Sequence, residues 1–301
     1  MKMPHHILVI ISGKHKEHEA LQRAIKFAEY RDIHIHLLST NYEPALDLNE
    51  VLPSEQRDQL KEQHLADRTF YLQSIAKEVK SQDIECSVIV KWSPHLHEVI
   101  EDVVKTLQPD LVIKRVSAEP LSINPFALPT DRHLIRHCQA PLLLVKHSSW
   151  TNDPILAAVD VLTTDADHIA LNSAVIASAK LFSHIQLSPL HVVNAYTTYA
   201  VSAAMDFPTL DVKQLNSNTE NYHRDKLNQL LEQNQLVPKP SQLHVESGLP
   251  DLAIAKVVGE LKPQLVVMGS VGRKGISAAL MGNTAESVLA RLNCEVLCLK
   301  P

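Results

Sequence analysis

The sequence predicts an α/β protein made of two tandem doubly wound domains, flavodoxin-like or Rossmann-like, each with a five-stranded parallel sheet between helices. Three observations predict this fold. Short apolar runs alternate with amphipathic stretches along the chain, as in strand–helix–strand units. Residues 92–146 align without a gap over 246–300, and the first apolar run, 7–12, aligns over 155–160. The length of 301 residues suits about two domains.

The first copy alternates strand and helix signals from its first residues. Residues 17–30 have apolar side chains at helical spacing, and Pro53 before Ser54 is typical of a helix start. The predicted strands are 7–12, 33–39, 84–91, 111–114 and 142–146. The predicted helices are 17–30, 54–80, 95–107 and 130–137.

The second copy repeats this order after a polar joint at 148–154, which predicts domains at 1–148 and 149–301. Its predicted strands are 155–159, 190–194, 242–246, 265–268 and 294–300, and its helices are 165–182, 210–236, 251–261 and 283–291. In the helix 165–182, the residues predicted to face the sheet are Ile169, Ala170, Ser173, Ala174, Ile176 and Ala177.

Composition excludes several classes of protein. Hydrophobic residues make up 45% and charged residues 21%, with a formal net charge of −5 and no basic block, which argues against nucleic acid as the main partner. No apolar run approaches the roughly 20 residues of a membrane span. The four cysteines form no Cys-x-x-Cys pair, which predicts reduced thiols in a cytoplasmic protein.

Glycine is concentrated in one segment. The chain has seven glycines, and four of them lie between Gly269 and Gly282. This segment follows an apolar strand and precedes a helix that Asn283 or Thr284 can cap. Free backbone N–H groups at a helix N-terminus attract anions, most often phosphate, so the order strand, glycine-rich loop, helix predicts a phosphate site.

The spacing Gly269-x2-Gly272-x9-Gly282 resembles the ATP-binding signature of the universal stress protein family, and the degraded first copy resembles the tandem subtype of that family. The resemblance implies an adenine nucleotide alpha hydrolase-like fold and ATP as ligand. It implies a binding set of Ala158, Val159, Asp160, Val192, Met268, Gly269, Gly272, Arg273, Gly282, Asn283, Thr284 and Ala285. Asn283 departs from the usual family pattern, which has Ser or Thr there.

The resemblance also assigns roles within this set. It implies that Asp160 contacts the adenosine side, that Val192 contacts adenine through its backbone, and that residues 282–285 hold the phosphates. Asp160 and Gly269 follow the first and fourth strands of their copy. Ligands of doubly wound sheets bind where those two strands diverge, so we expect both residues at one crevice.

The first copy has lost the glycines. Arg115, Ala118 and Leu128 fall opposite Gly269, Gly272 and Gly282. A Cβ at each position hinders close backbone approach, which predicts that the first copy does not bind ATP in this manner. Two readings of its charges stay open. Lys114, Arg115 and Arg132 bind another anion, or they are solvated surface charges.

Other chemistry has weaker support. The 17 histidines include neighbouring pairs such as His34 and His36, but zinc needs three or four ligands, so no metal site is predicted. Only Asp160, Asn283 and Thr284 are candidates to hold the Mg²⁺ that ATP hydrolysis needs.

The predicted function is therefore nucleotide binding by a stress-response regulator. The alternatives are a non-nucleotide ligand or protein-interaction module and a weak ATPase. The last strands of the two copies can pair within one chain, which predicts a pseudo-dimer that is a monomer or a homodimer of tandem chains.

Overall fold

The computed structural model describes residues 2–13, 18–48, 52–116, 130–146, 150–198, 211–270 and 294–301. Contacts divide the chain into two compact units, Met3–Ser149 and Trp150–Pro301. Within the described ranges, every helix is too short or too polar to cross a lipid bilayer.

The first unit is a five-stranded parallel sheet with helices. Its strands are β1 (His6–Ile10), β2 (His34–Asn41), β3 (Glu85–Trp92), β4 (Leu111–Arg115) and β5 (Leu142–Val145). Its helices are α1 (Glu19–Ala28), α2 (Pro44–Leu48), α3 (Ser54–Lys80), α4 (Leu96–Leu107) and α5 (Thr130–His137). The strand order is β3-β2-β1-β4-β5, with every neighbouring pair parallel. The order reverses between β1 and β4, which is the switch point of a doubly wound fold.

The second unit repeats this arrangement. Its strands are β6 (Ile155–Val159), β7 (Leu190–Tyr196), β8 (Leu243–Ser247), β9 (Leu265–Gly269) and β10 (Glu295–Leu299). Its described helices are α6 (Ala166–Gln186), α7 (Val212–Gln233) and α8 (Pro250–Leu261). The strand order is β8-β7-β6-β9-β10, again with parallel pairs. The switch point lies between β6 and β9.

The central strands form the cores. Ile7, Leu8 and Val9 of β1 are fully buried, as are Ile155, Leu156 and Ala157 of β6. Helices cover both faces of such a sheet, so its strands read as continuous apolar runs rather than alternating ones. Because these strands are buried on both faces, they can be recognised in the sequence as apolar runs.

The structure confirms the predicted α/β fold class and much of its detail. The helices α3 and α5 have the predicted bounds. Helices α4 and α8 both end in a left-handed residue, Gln108 at φ 49° and Lys262 at φ 49°, directly before a proline. This shared ending is typical of a helix that stops before proline and supports the internal repeat. The short helix α2 was not predicted.

The predicted inward face of α6 was only partly right: Ile176 is fully buried, and Ser173 and Ala174 are half-buried. Ile169 is 46% exposed, and Ala170 and Ala177 are also exposed. The buried side is formed by Leu171, Asn172, Val175, Ile176, Ser178, Ala179, Phe182, Ile185 and Gln186. The helix is apolar on several sides, so its spacing does not define one stripe. The larger side chains bury more apolar area against the sheet, and they determine the rotation of the helix.

Candidate functional site

The carboxyl edge of the second sheet brings two predicted site residues together. The register pairs Ala158 of β6 with Met268 of β9. Asp160 follows the end of β6, and Gly269 is the last residue of β9. Neighbouring strands lie about 4.8 Å apart, so Asp160 and Gly269 flank the switch point, as the sequence predicts. Ala158, Val159 and Met268 are buried beneath them.

Asp160 is held by the helix that follows it. The Asp160 backbone N–H donates to Asn172 Oδ1 at 3.1 Å, and Asn172 Nδ2 donates to the Asp160 carbonyl oxygen at 2.6 Å. The Asp160 carboxylate accepts from the Leu162 backbone N–H at 3.2 Å. These bonds fix the position at which the chain leaves β6, and they leave the Asp160 side chain half-buried at the edge.

Val192 lies deeper in the sheet than Asp160. It pairs with Ala157 and with Leu243 in the middle of β7, and its side chain is fully buried. The Val192 side chain is therefore closed to a ligand, and the residue lies below the edge that Asp160 and Gly269 form. The β7 residue in register with Val159 is Asn194.

Asn194 and His223 form a buried polar pair below the crevice. Asn194 Nδ2 donates to the Val159 carbonyl oxygen at 3.0 Å, and Asn194 Oδ1 lies 2.8 Å from His223 Nδ1. That contact requires a proton on His223 Nδ1. The pair links β6, β7 and α7, so it gives the end of β6 a second polar contact besides Asn172.

Gly269 packs closely against α6. A Cβ built on Gly269 would lie 2.6 Å from Leu171 Cδ2 of α6. A side chain at this position would therefore require the Leu171 side chain to shift. The glycine therefore allows α6 to approach the end of β9 closely. The next residue, Ser270, is buried and its backbone N–H donates to the Leu299 carbonyl oxygen at 2.9 Å.

The remaining predicted residues lie outside the described ranges. They are Gly272, Arg273, Gly282, Asn283, Thr284 and Ala285. Ala118 and Leu128 of the first copy lie outside them as well.

The equivalent edge of the first sheet contains an arginine side chain. Arg68 of α3 is 6% exposed, and its guanidinium donates to Ser39 Oγ at 2.8 Å, to the Gly13 carbonyl oxygen at 2.8 Å and to the Ile11 carbonyl oxygen at 3.1 Å. Burial lowers the pKa of Arg68 from its ordinary value. The guanidinium therefore occupies the carboxyl ends of β1 and β2, beside a cavity of about 550 Å³.

The predicted anion ligands of the first copy are paired with carboxylates. Lys114 Nζ lies 2.7 Å from Asp131 Oδ1, and both side chains are buried. Arg115 Nε lies 2.9 Å from Glu19 Oε1. These two cations compensate acidic groups of the fold, which weakens the reading that they bind an external anion. Arg132 is half-buried on α5.

Sequence reasoning missed Asn172, Asn194, His223 and Arg68. They lie on other helices and strands than the ends they support, and none belongs to a motif. The sequence signal that could have identified them is a polar residue at a position predicted to be buried. Asn172 and Asn194 interrupt apolar runs, where an unpaired amide is costly.

Known proteins resemble this chain over its full length. The model of the family described as "Universal stress protein family" matches residues 3–146 and 151–300. Universal stress protein E of Salmonella typhi is 28% identical, covering 100% of this chain and 96% of that protein. The homolog in Haemophilus influenzae is 27% identical, covering 98% of this chain and 97% of that protein.

Solved structures share the fold. The functionally unknown protein PA1789 of Pseudomonas aeruginosa PAO1 has a TM-score of 0.74 and 28% identity, covering 99% of this chain and 93% of that one. A universal stress protein of Archaeoglobus fulgidus has a TM-score of 0.61 and 15% identity, covering 98% of both chains, which is a likeness of fold alone.

Proposed function

Because the chain belongs to the universal stress protein family, whose model matches it twice, and matches a curated relative over its full length, we propose that it binds ATP in its second domain. The observation that carries this proposal is the register that brings Asp160 and Gly269 to the two sides of one switch point. The predicted phosphate loop begins directly after this point. The nucleotide acts as a conformational ligand in a stress-response protein of the cytoplasm.

The chemistry of the edge suits a nucleoside. The Asp160 carboxylate can accept hydrogen bonds from the sugar or the base, and the ends of β6 and β9, at Ala158, Val159 and Met268, form an apolar floor. Val192 contributes its backbone, as the family resemblance implies. Gly269 keeps the adjoining backbone free of side chains.

The phosphates are assigned to the loop and the helix that follows it. Gly272, Gly282 and Ala285 supply backbone N–H groups, Arg273 supplies positive charge, and Asn283 and Thr284 supply side-chain donors. Asp160, Asn283 and Thr284 are the candidate Mg²⁺ ligands. Binding is the primary role, and slow hydrolysis is the second outcome that the phosphate assay below decides.

Calorimetric titration of the full chain with ATP and Mg²⁺ tests the proposal. We expect one nucleotide per chain, because only the second domain retains the glycines. Asp160→Asn removes a charged acceptor, which is worth about 1.5–3 kcal/mol, so affinity falls roughly 10–100-fold. The matched control is Asp225→Asn, an exposed carboxylate of α7, which leaves affinity unchanged.

Three further outcomes decide the details. Gly272→Val abolishes binding in a folded protein if the loop holds the phosphates. Phosphate release that disappears in Asp160→Ala identifies an ATPase. A folded chain that takes up no ATP at millimolar concentration refutes the proposal.

The first domain supports a second candidate, a ligand other than ATP. Arg68 occupies the strand ends that correspond to Val159 and Asn194 of the second domain, so a guanidinium group lines the cavity beside it. Mass spectrometry of the purified protein separates the candidates. An adenine nucleotide bound at one per chain supports the main proposal, and another copurified molecule supports a ligand of the first domain.

A further inference from the structure

Three histidines share one face of the first sheet, at the amino ends of its strands. His6 of β1 and His34 of β2 are in register, and His36 lies two residues further along β2, so all three side chains point to the same side. The rings of His34 and His36 stack at 4.0 Å between centroids, and the ring of His6 lies 5.5 Å from that of His36. One nitrogen from each lies within 4.8 Å of the other two.

Strand β3 orients two of these rings. It places Glu85 in register with His34 and Ser87 in register with His36. Glu85 Oε2 lies 3.3 Å from His34 Nδ1, and Ser87 Oγ lies 2.7 Å from His36 Nδ1. Donation from each Nδ1–H places the lone pair of each ring on Nε2. Metal-binding histidines are oriented in this way, with the second nitrogen bonded to a carboxylate or hydroxyl group.

The two Nε2 atoms contact no carboxylate, hydroxyl or backbone group in the described residues. His34 Nε2 is buried with no hydrogen-bond partner, and His36 Nε2 faces His6 Nδ1 at 3.2 Å. Neutral imidazole nitrogens are the form that binds metal ions.

The backbone of His6 is also fixed. Asp110 Oδ2 accepts from the His5 and His6 backbone N–H groups at 2.8 and 2.9 Å. His6 itself is exposed and, with His34 and Glu85, lines a cavity of about 780 Å³. The His6 ring therefore lies on the cavity side of the cluster, where an ion can enter from solvent.

From this geometry we propose that His6, His34 and His36 bind one divalent transition-metal ion, with Zn²⁺ as the representative. Three imidazoles suit Zn²⁺, whereas Mg²⁺ and Ca²⁺ prefer oxygen ligands. Tetrahedral Zn²⁺ with Zn–N bonds of about 2.0–2.1 Å holds its nitrogens roughly 3.4 Å apart. The three ligand nitrogens lie within 4.8 Å of one another, so side-chain rotation has to shorten their longest separation by at most about 1.4 Å to reach this spacing. The fourth position faces the cavity and takes water.

The second domain provides an internal contrast. His36 pairs with Leu8 and His191 pairs with Leu156, which are equivalent positions of the repeat. Pro154 and Pro189 replace the other two ligands. His191 Nδ1 instead faces His244 Nε2 of β8 at 3.0 Å. Two nitrogens are too few for a held zinc ion, so the site belongs to the first domain alone.

Calorimetric titration of the metal-free full chain with Zn²⁺ at pH 7.5, in a buffer that does not coordinate zinc, tests the proposal. We expect one saturable site. His6→Asn changes an exposed residue and keeps the fold, and it lowers affinity more than about 100-fold because a ligand is lost. Glu85→Gln removes only the group that orients His34 and lowers affinity about tenfold.

Matched controls separate this site from other histidines. His191→Gln alters the two-histidine pair, and His133→Gln alters a separate group whose rings lie 4.1 and 4.5 Å from those of His97 and His137. Both controls keep the full affinity. Co²⁺ gives an independent signal, since its visible absorption for three nitrogens and water disappears in His34→Gln. Circular dichroism verifies that each variant is folded.

Every outcome decides the proposal. Binding of one Zn²⁺ that weakens in His6→Asn and in His34→Gln, but in neither control, supports it. A folded parent that binds no Zn²⁺ at micromolar concentration overturns it. Zinc binding that persists in both triad variants, or that is lost in His133→Gln, assigns the metal to another group and overturns it as well.

Discussion

Substitution of Asn172 by alanine tests whether α6 fixes Asp160 at the carboxyl edge of the second sheet, where we propose that ATP binds. The Asn172 amide makes two bonds to the peptide groups of Asp160, at 3.1 and 2.6 Å, and the residue is only 8% exposed. Each buried peptide group that loses its partner costs about 1–3 kcal/mol. The half-burial of Asp160 lets water replace part of this loss, so we expect Asn172→Ala to lower the free energy of unfolding by about 2–3 kcal/mol.

The same substitution acts on ligand binding. Without the amide, the Asp160 carboxylate samples positions away from the nucleotide, and we expect ATP affinity to fall about tenfold, which corresponds to roughly 1.4 kcal/mol. Urea denaturation measures the first effect and calorimetry the second. The control is Ser173→Ala, because the neighbouring hydroxyl accepts only a long 3.4 Å bond from Asn234. Loss of stability with unchanged ATP affinity would show that Asn172 does not position Asp160. An unchanged unfolding midpoint would refute the energetic argument itself.

Two further predictions concern buried charge in the first domain. Lys114→Met removes the cation that lies 2.7 Å from buried Asp131, and we expect the free energy of unfolding, measured with urea, to fall by about 3–5 kcal/mol. The double variant Lys114→Met/Asp131→Leu recovers much of this loss, and an equally unstable double variant contradicts the prediction. The pKa of His36 is lowered to about 4, chiefly by burial and further by the neighbouring His34 and His6. Below pH 6.5 the unfolded chain therefore binds a proton at this residue that the folded chain does not. With a chelator present, stability then falls by about 2–3 kcal/mol between pH 6.5 and 4, and His36→Gln loses this part of the slope; parent and variant curves that stay parallel contradict it.

Much of the fold was predictable because burial on two faces leaves a clear trace in sequence. The strands β1 and β6 are apolar throughout, and Ser54–Lys80 is bounded by a proline and a change of pattern. The inward side of α6 was not predictable in the same way. Its residues are apolar on several sides, and only contact with the sheet selects Leu171, rather than Ile169, for burial.

The candidate nucleotide site was predictable only in part. Asp160 and Gly269 could be placed together because the carboxyl ends of parallel strands meet at one edge. The side chains that hold this edge in position could not be predicted. Asn172 and His223 come from helices whose rotation depends on packing, and a single buried amide has no spacing that a sequence pattern can reveal.

Local pattern was enough to predict the repeat, the order of strands and helices, and the unequal distribution of glycine between the two halves. Which distant side chains share a face could be seen only in the folded chain. His34 and His36 are a pair in sequence, but strand register adds His6 from one side and Glu85 from the other. A pair becomes a three-nitrogen cluster because hydrogen bonding between strands, which no local spacing encodes, fixes which residues lie side by side.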